Sequence, residues 1–251
     1  MAATYKSEGV VLKRWRHREK DTLVRVLTRD FGKITARAIS ARKITSKLAG
    51  HLEPFVVADF FFAKSKTIDI VAGSNTIMSN DVLRSSMIHG AAANYIAEIV
   101  DNLTHDHDPD PLFYEYVLGM LQMIGQQPQL NILTVYAAIV QIFEYLGYRF
   151  ELETCHSCKR VVTADEVLKF HFQLRGLECG NCRSIEQVRE LSADSVRVLR
   201  FLQDESFETV AKLSVSDTVW RDIDPLIRSS IAYQLGKSPK SEVVFLELIA
   251  V

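Results

Sequence analysis

Residues 8–39 read EGVVLKRWRHREKDTLVRVLTRDFGKITARAI, and their spacing decides the fold of the first part of the chain. The apolar residues come in short β-branched runs with period-2 alternation rather than at helical intervals, which predicts strands at 8–15, 22–28 and 33–39. Arg29-Asp30-Phe31-Gly32 fits a tight hairpin connection between the second and third. Two further runs follow, FVVADFFFA at 55–63 and TIDIVA at 67–72, with Gly50 and Pro54 bracketing the entry to the first of them. Five short strands with their longest connection between the third and fourth predict a small closed barrel such as the OB-fold over residues 1–78. An SH3-like barrel gives nearly the same pattern.

Past Asn80 the period changes to that of helices. Val82, Leu83, Met87, Ile88, Ala91, Ala92, Tyr95, Ile96, Ile99, Val100 and Leu103 line one face of a helix for which Asp81 is the expected N-cap. A second helix is expected from Pro111, capped by Asp110, to Gly125, and a third over 132–146 with Gly147 at its C-terminal cap. Later helices are expected at 193–202 and, capped by Asp224, at 225–235, and the apolar end SEVVFLELIAV is expected to dock on the helical bundle. The reading is therefore α+β: an N-terminal five-stranded OB-fold barrel, then an α-helical bundle domain (79–150 and 192–251) with an inserted four-cysteine module (151–191).

That insertion holds all four cysteines of the chain as two C-x-x-C pairs, Cys155 with Cys158 and Cys179 with Cys182. Two such turns present four thiolates to one point, the arrangement of tetrahedral zinc. A pair of disulfides is the rival reading. The start MAATYKSEGV has no apolar run behind a basic segment, and the chain has no stretch of membrane-spanning length, so a cytosolic setting with reduced thiols is expected. Four sulfurs leave no coordination position for water, which predicts one structural zinc rather than a catalytic one. A zinc deaminase would need Glu two residues after a ligating His, and His171 is followed by Phe172 and Gln173. Between the knuckles, LKFHFQL at 168–174 alternates as a strand that Arg175-Gly176 turns back. His156 reads as a turn residue, and the run THDHDPDP, with His105, Asp106, His107 and Asp108, reads as a solvated loop rather than a second metal cluster.

The formal net charge of −1 conceals an asymmetry: residues 1–50 carry 13 Lys and Arg against four Asp and Glu. Such a segment points to a polyanion, nucleic acid before an anionic membrane surface. The basic set is Lys13, Arg14, Arg16, Arg18, Lys20, Arg25, Arg37, Arg42, Lys43 and Lys47, with Trp15 and His17 interleaved. Single-strand binders combine a cationic track with flat side chains on which bases stack. Trp15 fits that role or a place in the barrel core. The connection 40–50, SARKITSKLAG, adds the hydroxyls of Ser40, Thr45 and Ser46, which can bind phosphate oxygens. The chain lacks a Walker A loop, a G-x-G-x-x-G turn and a G-x-S-x-G nucleophile turn, which argues against an enzyme.

The order of these pieces is similar to that of the RecO family of bacterial recombination mediators, in its zinc-bearing branch. The residues that carry the likeness are Gly9-Val10-Val11-Leu12, Glu19-Lys20-Asp21, Leu27 through Ile34, Ala41-Arg42-Lys43 with Leu48 and Gly50, and Leu52-Glu53-Pro54-Phe55. Tyr145-Leu146-Gly147-Tyr148 leading to the first knuckle and Arg175-Gly176-Leu177-Glu178 leading to the second complete it. The resemblance implies a DNA-repair protein that binds single- and double-stranded DNA, anneals complementary strands without ATP and helps load the RecA recombinase, in the bacterial cytosol at the nucleoid. It implies RecR and the acidic C-terminal tail of single-strand-binding protein as partners. By position it makes Arg14, Arg16, Arg37, Arg42, Lys43 and Lys47 DNA contacts, and the tail would meet the helical domain, where Arg197, Arg200, Arg221 and Arg228 are available. One departure is Ser40, where the family pattern has Gly. The alternative is a zinc-ribbon and OB assembly factor of a transcription or RNA-processing complex.

Overall fold

The computed structural model describes residues 3–43, 45–46, 48–163, 168–182 and 188–249. The alternating runs become β1 (Thr4–His17), β2 (Asp21–Thr28), β3 (Gly32–Ala38), β4 (Val57–Ala63) and β5 (Asp69–Met78). They close in the order β1-β2-β3-β5-β4, with β4 returning to β1. Every pairing is antiparallel except a short parallel one between β3 and β5. This is the expected OB-like barrel. Its filling follows from the alternation: Val24, Val26, Ile34, Ala36, Ala38, Phe60 and Phe62 point inward with Val11 and Val71. β5 runs six residues past its expected end at Ala72, because Gly73, opposite Phe61, lies beside a register shift that hides the alternation.

The chain separates into two compact units, Met1–Pro128 with Val244–Val251, and Gln129–Val243. The first unit adds α1 (Val82–Ser85), α2 (Met87–Leu103) and α3 (Pro111–Gln126) to the barrel. The single helix expected over 82–103 is broken at Ser86, which is extended at φ −96° and ψ 124°. Gly90 permits the break, since a Cβ there would stand 2.9 Å from the Leu83 carbonyl oxygen. Asp81 has helical backbone angles and makes no capping hydrogen bond, so its expected role fails. Asp110 does cap α3, accepting from Phe113 N at 2.9 Å, with Pro111 at the first position. The apolar C-terminal segment folds as α8 (Ser241–Ile249), and its buried Phe245 stacks on Tyr95 with ring centroids 5.1 Å apart.

The second unit contains α4 (Ile132–Tyr145), a four-stranded sheet, α5 (Ala193–Asp204), the single turn α6 (Phe207–Val210) and α7 (Asp217–Leu235). The sheet strands β6 (Glu151–Cys155), β7 (Leu168–His171), β8 (Gly176–Cys179) and β9 (Val188–Leu191) run in the order β6-β8-β7-β9. β7 and β8 form the hairpin expected between the cysteine pairs. α7 starts at Asp217, capped by Ser216, so Pro225 lies inside the helix and Asp224 is not its cap. A proline there leaves the carbonyl four residues earlier without its helical donor. That carbonyl belongs to Arg221, and Arg189 Nη2 donates to it at 2.7 Å. Asp224 instead accepts the Tyr136 hydroxyl and pairs with Arg228 at 3.4 Å.

Candidate nucleic-acid interface and metal centre

Pairing across three strands arranges the outer face of the barrel in rows. Lys13, Arg25 and Thr35 form one row, and Trp15, Leu23 and Arg37 the next. Trp15 is 39% exposed and is not in the core. Its ring lies 5.7 Å from the Lys13 ammonium. Arg37 is half-buried, and its Nε has no hydrogen-bond partner.

Beyond the Trp15 row the β1–β2 turn and the β3–β4 connection are joined. Arg42 N donates to the Lys20 carbonyl at 3.1 Å, Arg42 Nη1 to the Glu19 carbonyl at 2.9 Å, and Ser40 N to Asp21 Oδ1 at 2.8 Å. Ser40 sits at φ +55°, a region that favours glycine, and the Asp21 carboxylate anchors its N–H in that turn. These bonds hold Arg42 and Lys43 against the β1–β2 turn, which carries Arg18 and Lys20 and follows on Arg16 near the end of β1. All five are exposed, and among the described residues no carboxylate pairs with any of them. Lys47 lies outside the described residues.

At the opposite side of the Trp15 row the cations are ion-paired. Asp101 of α2 is 8% exposed and receives Lys13 Nζ, Arg25 Nε at 2.8 Å and Lys33 Nζ at 3.3 Å. Asp106 adds contacts to Arg25 Nη1 at 3.0 Å and to Lys33 at 3.7 Å. Lys33 is itself buried and donates to the carbonyl oxygens of Asp101 and Thr104. Burial pushes its pKa down, against the pull of Asp101. For Asp101 burial pushes upward, but hydrogen bonds from Lys13 and Arg25 and the Lys33 charge outweigh it and lower its pKa to about 2. Arg14 is tied to Glu53 at 2.7 Å. Of the expected contacts, then, Arg42 and Lys43 lie on the connection joined to the β1–β2 turn, Arg16 lies near the end of the strand leading into that turn, Trp15 and Arg37 share one row, and Lys13 and Arg14 are committed to carboxylates.

The four cysteines converge in the second unit. Sγ–Sγ separations are 3.9 Å for Cys155–Cys182, 3.8 Å for Cys158–Cys179 and 3.7 Å for Cys179–Cys182. A disulfide would need about 2.05 Å. Thiolates about 2.3 Å from a tetrahedral zinc lie about 3.8 Å apart, so the donor set fits that ion. A hydrogen bond from Arg160 lowers the Cys179 pKa to about 6, whereas the contact with Cys179 pushes Cys182 up to about 12. Four adjacent thiols cannot all ionise without a cation among them. The knuckles are also linked directly: Ser157 donates to Glu178 Oε1 at 2.5 Å, and Glu178 Oε2 meets His171 Nε2 at 3.2 Å. His156 stays in the turn, its N–H on the Leu177 carbonyl. Among the described residues the cysteines are the one group of three or more such side chains close enough to hold a metal ion, so the 105–108 run forms no second centre.

The helical arginines considered for an acidic partner are mostly committed. Arg197 pairs with Asp194 at 2.6 Å, Arg200 with Glu153 at 3.1 Å, and Arg228 with Asp224 and Glu242. Arg221 is exposed and has no carboxylate partner among the described residues. No helix among the described residues is long and apolar enough to cross a membrane.

The family model described as "Recombination protein O N terminal" matches residues 1–79, and "Recombination protein O C terminal" matches residues 84–242. Curated relatives named DNA repair protein RecO include one from Dehalococcoides mccartyi strain 195, 30% identical over 94% of this chain and 93% of its own length. Another from Roseiflexus sp. strain RS-1 is 28% identical over 94% of this chain and 83% of its length, and one from Bacillus subtilis strain 168 is 26% identical over 88% and 86%.

Proposed function

The chain belongs to the RecO family, and from that premise we propose that it is a DNA-repair mediator that binds DNA through the open cationic end of its barrel. The observation that supports this reading is that Arg16, Arg18, Lys20, Arg42 and Lys43 are exposed on or next to two joined connections that follow the Trp15 row, and that among the described residues no carboxylate pairs with them. Phosphates of one strand bind the cations, and Trp15 offers a face on which a base stacks. Arg37 on β3 extends the set; Lys13 and Arg14 join it only by leaving Asp101 and Glu53.

A protein that neutralises the phosphates of two strands while leaving base edges free lowers the repulsion between them, so it anneals complementary strands without nucleotide. Loading of a recombinase on strands coated with single-strand-binding protein, together with RecR, belongs to the same proposal. So does capture of the coating protein's acidic tail on the helical segments, for which Arg221 is, of Arg197, Arg200, Arg221 and Arg228, the one without a carboxylate partner among the described residues. One zinc ion held by Cys155, Cys158, Cys179 and Cys182 acts in folding, and no catalytic residue is assigned. The test is the annealing rate of complementary strands, naked and coated, with and without ATP. Acceleration indifferent to ATP is expected; no acceleration, or a requirement for ATP, would contradict the proposal.

A further inference from the structure

The row beside Trp15 has the composition of a phosphate site and is filled by the chain's own carboxylate. Arg25 Nη1 donates to Thr35 Oγ1, which leaves the hydroxyl hydrogen of Thr35 free to donate outward. Lys13, with its side chain 53% exposed, flanks the same spot. Asp106 Oδ2 occupies it at 3.0 Å from Arg25 Nη1.

Asp101 and Asp106 differ in what they hold. Asp101 is enclosed and already serves Lys13, Arg25 Nε and Lys33, so each of the three cations keeps a carboxylate contact without Asp106, and three cations on one carboxylate leave positive charge for a phosphate to meet. The Asp106 side chain is 49% exposed, and exposed ion pairs are weak. Its backbone is fixed independently of the carboxylate. Residue 106 bridges Lys33, His107 N donates to the Lys33 carbonyl at 3.1 Å, and Gly32 at φ +66° lets the Asp108 backbone approach where a Cβ would collide with it. The carboxylate can therefore swing away while the loop stays in place, and a phosphate oxygen can take its position on Arg25 and Thr35.

We infer that the Arg25–Thr35 row is a second phosphate-binding position of the barrel's nucleic-acid face, plugged by Asp106, so that this residue sets how far a bound strand extends past Trp15. The inference rests on the proposed DNA-binding reading. Strands of DNA would exchange a phosphate for the Asp106 carboxylate at a position contiguous with the open end, since the two rows are separated by two residues along each strand.

The experiment measures affinity for a long oligothymidylate across a range of salt concentrations with wild type, Asp106→Asn and Asp194→Asn. The last makes the same charge change at an exposed site in the other compact unit. Asp106→Asn is expected to bind severalfold more tightly and to steepen the slope of log affinity against log salt by about 0.7, one more neutralised phosphate. Asp194→Asn is expected to keep the wild-type slope. Asp106→Ser carries the same expectation if the Asn variant fails to fold. An unchanged slope in the Asp106 variants, or an equal change in Asp194→Asn, overturns the inference. Wild-type protein that binds no oligothymidylate would instead overturn the DNA-binding reading itself.

Discussion

The barrel and the cysteine sheet are both small β structures, and they are held by different means. The barrel closes on itself around Val24, Val26, Ile34, Phe60 and Phe62, so its strands have few free edges and its core is continuous. The β6–β9 sheet has strands of four or five residues and a thinner apolar layer, Leu152, Leu168, Phe170 and Leu177, with Phe150 packed edge-on to Phe170 at 5.3 Å. A sheet of that size cannot bury enough apolar surface to offset its ordering entropy, and a metal ion on the four converging sulfurs would supply the cross-link. The comparison separates two vulnerabilities: metal loss should strike the second unit, and charge loss the first.

The largest expected effect breaks the first half of that comparison. Cys179→Ser, or chelation of the wild type, should remove one equivalent of zinc and the roughly 10 kcal/mol or more that such an ion contributes to a small module. Metal content by mass spectrometry and protease sensitivity of residues 151–191 would check it. Retention of both zinc and resistance would show that the sulfurs do not form the ligand set.

Next in size is Asp101→Asn. Removing one charge from a buried cluster strands the others, at a cost of about 3–5 kcal/mol in urea unfolding. The barrel's cations would then prove structural as well as functional. A loss near zero would mean that Lys13, Arg25 and Lys33 need no buried counter-charge.

A smaller effect concerns pH. The folded pKa of Asp101, about 2, lies below that of an unfolded carboxyl. Its stabilisation is therefore complete above the unfolded value and is lost as pH falls through about 2. The shift corresponds to about 2 kcal/mol. The stability difference between wild type and Asp101→Asn should shrink by that amount on acidification from neutral pH. A difference independent of pH would show that the carboxylate is not depressed.

These effects also mark what was legible in the chain. The barrel strands were readable because alternation is local, and the cysteine array because its spacing is. β5 was cut short where a bulge and Gly73 interrupt the alternation. Pro225 reads as the start of α7 because a proline ordinarily opens a helix, and the arginine that satisfies the carbonyl it orphans lies 32 residues before that carbonyl. The fate of individual cations was hidden for the same reason. Lys13 and Arg25 meet Asp101 across separations of 88 and 76 residues, and no local pattern encodes such pairs. The one available signal was a carboxylate next to the apolar face of α2, between Val100 and Leu103.

The open end of the barrel is the primary site for the polyanion in this proposal, and the ion-paired side takes a phosphate only where Asp106 gives way. The most direct test is the salt dependence of single-stranded DNA affinity for wild type and for an Arg42→Ala/Lys43→Ala variant. Five neutralised phosphates predict a slope near about −3.5 for the wild type, and three predict about −2 for the variant, with weaker binding to every sequence. A variant that retains the wild-type slope and affinity would contradict the account and move the binding site off this end of the barrel.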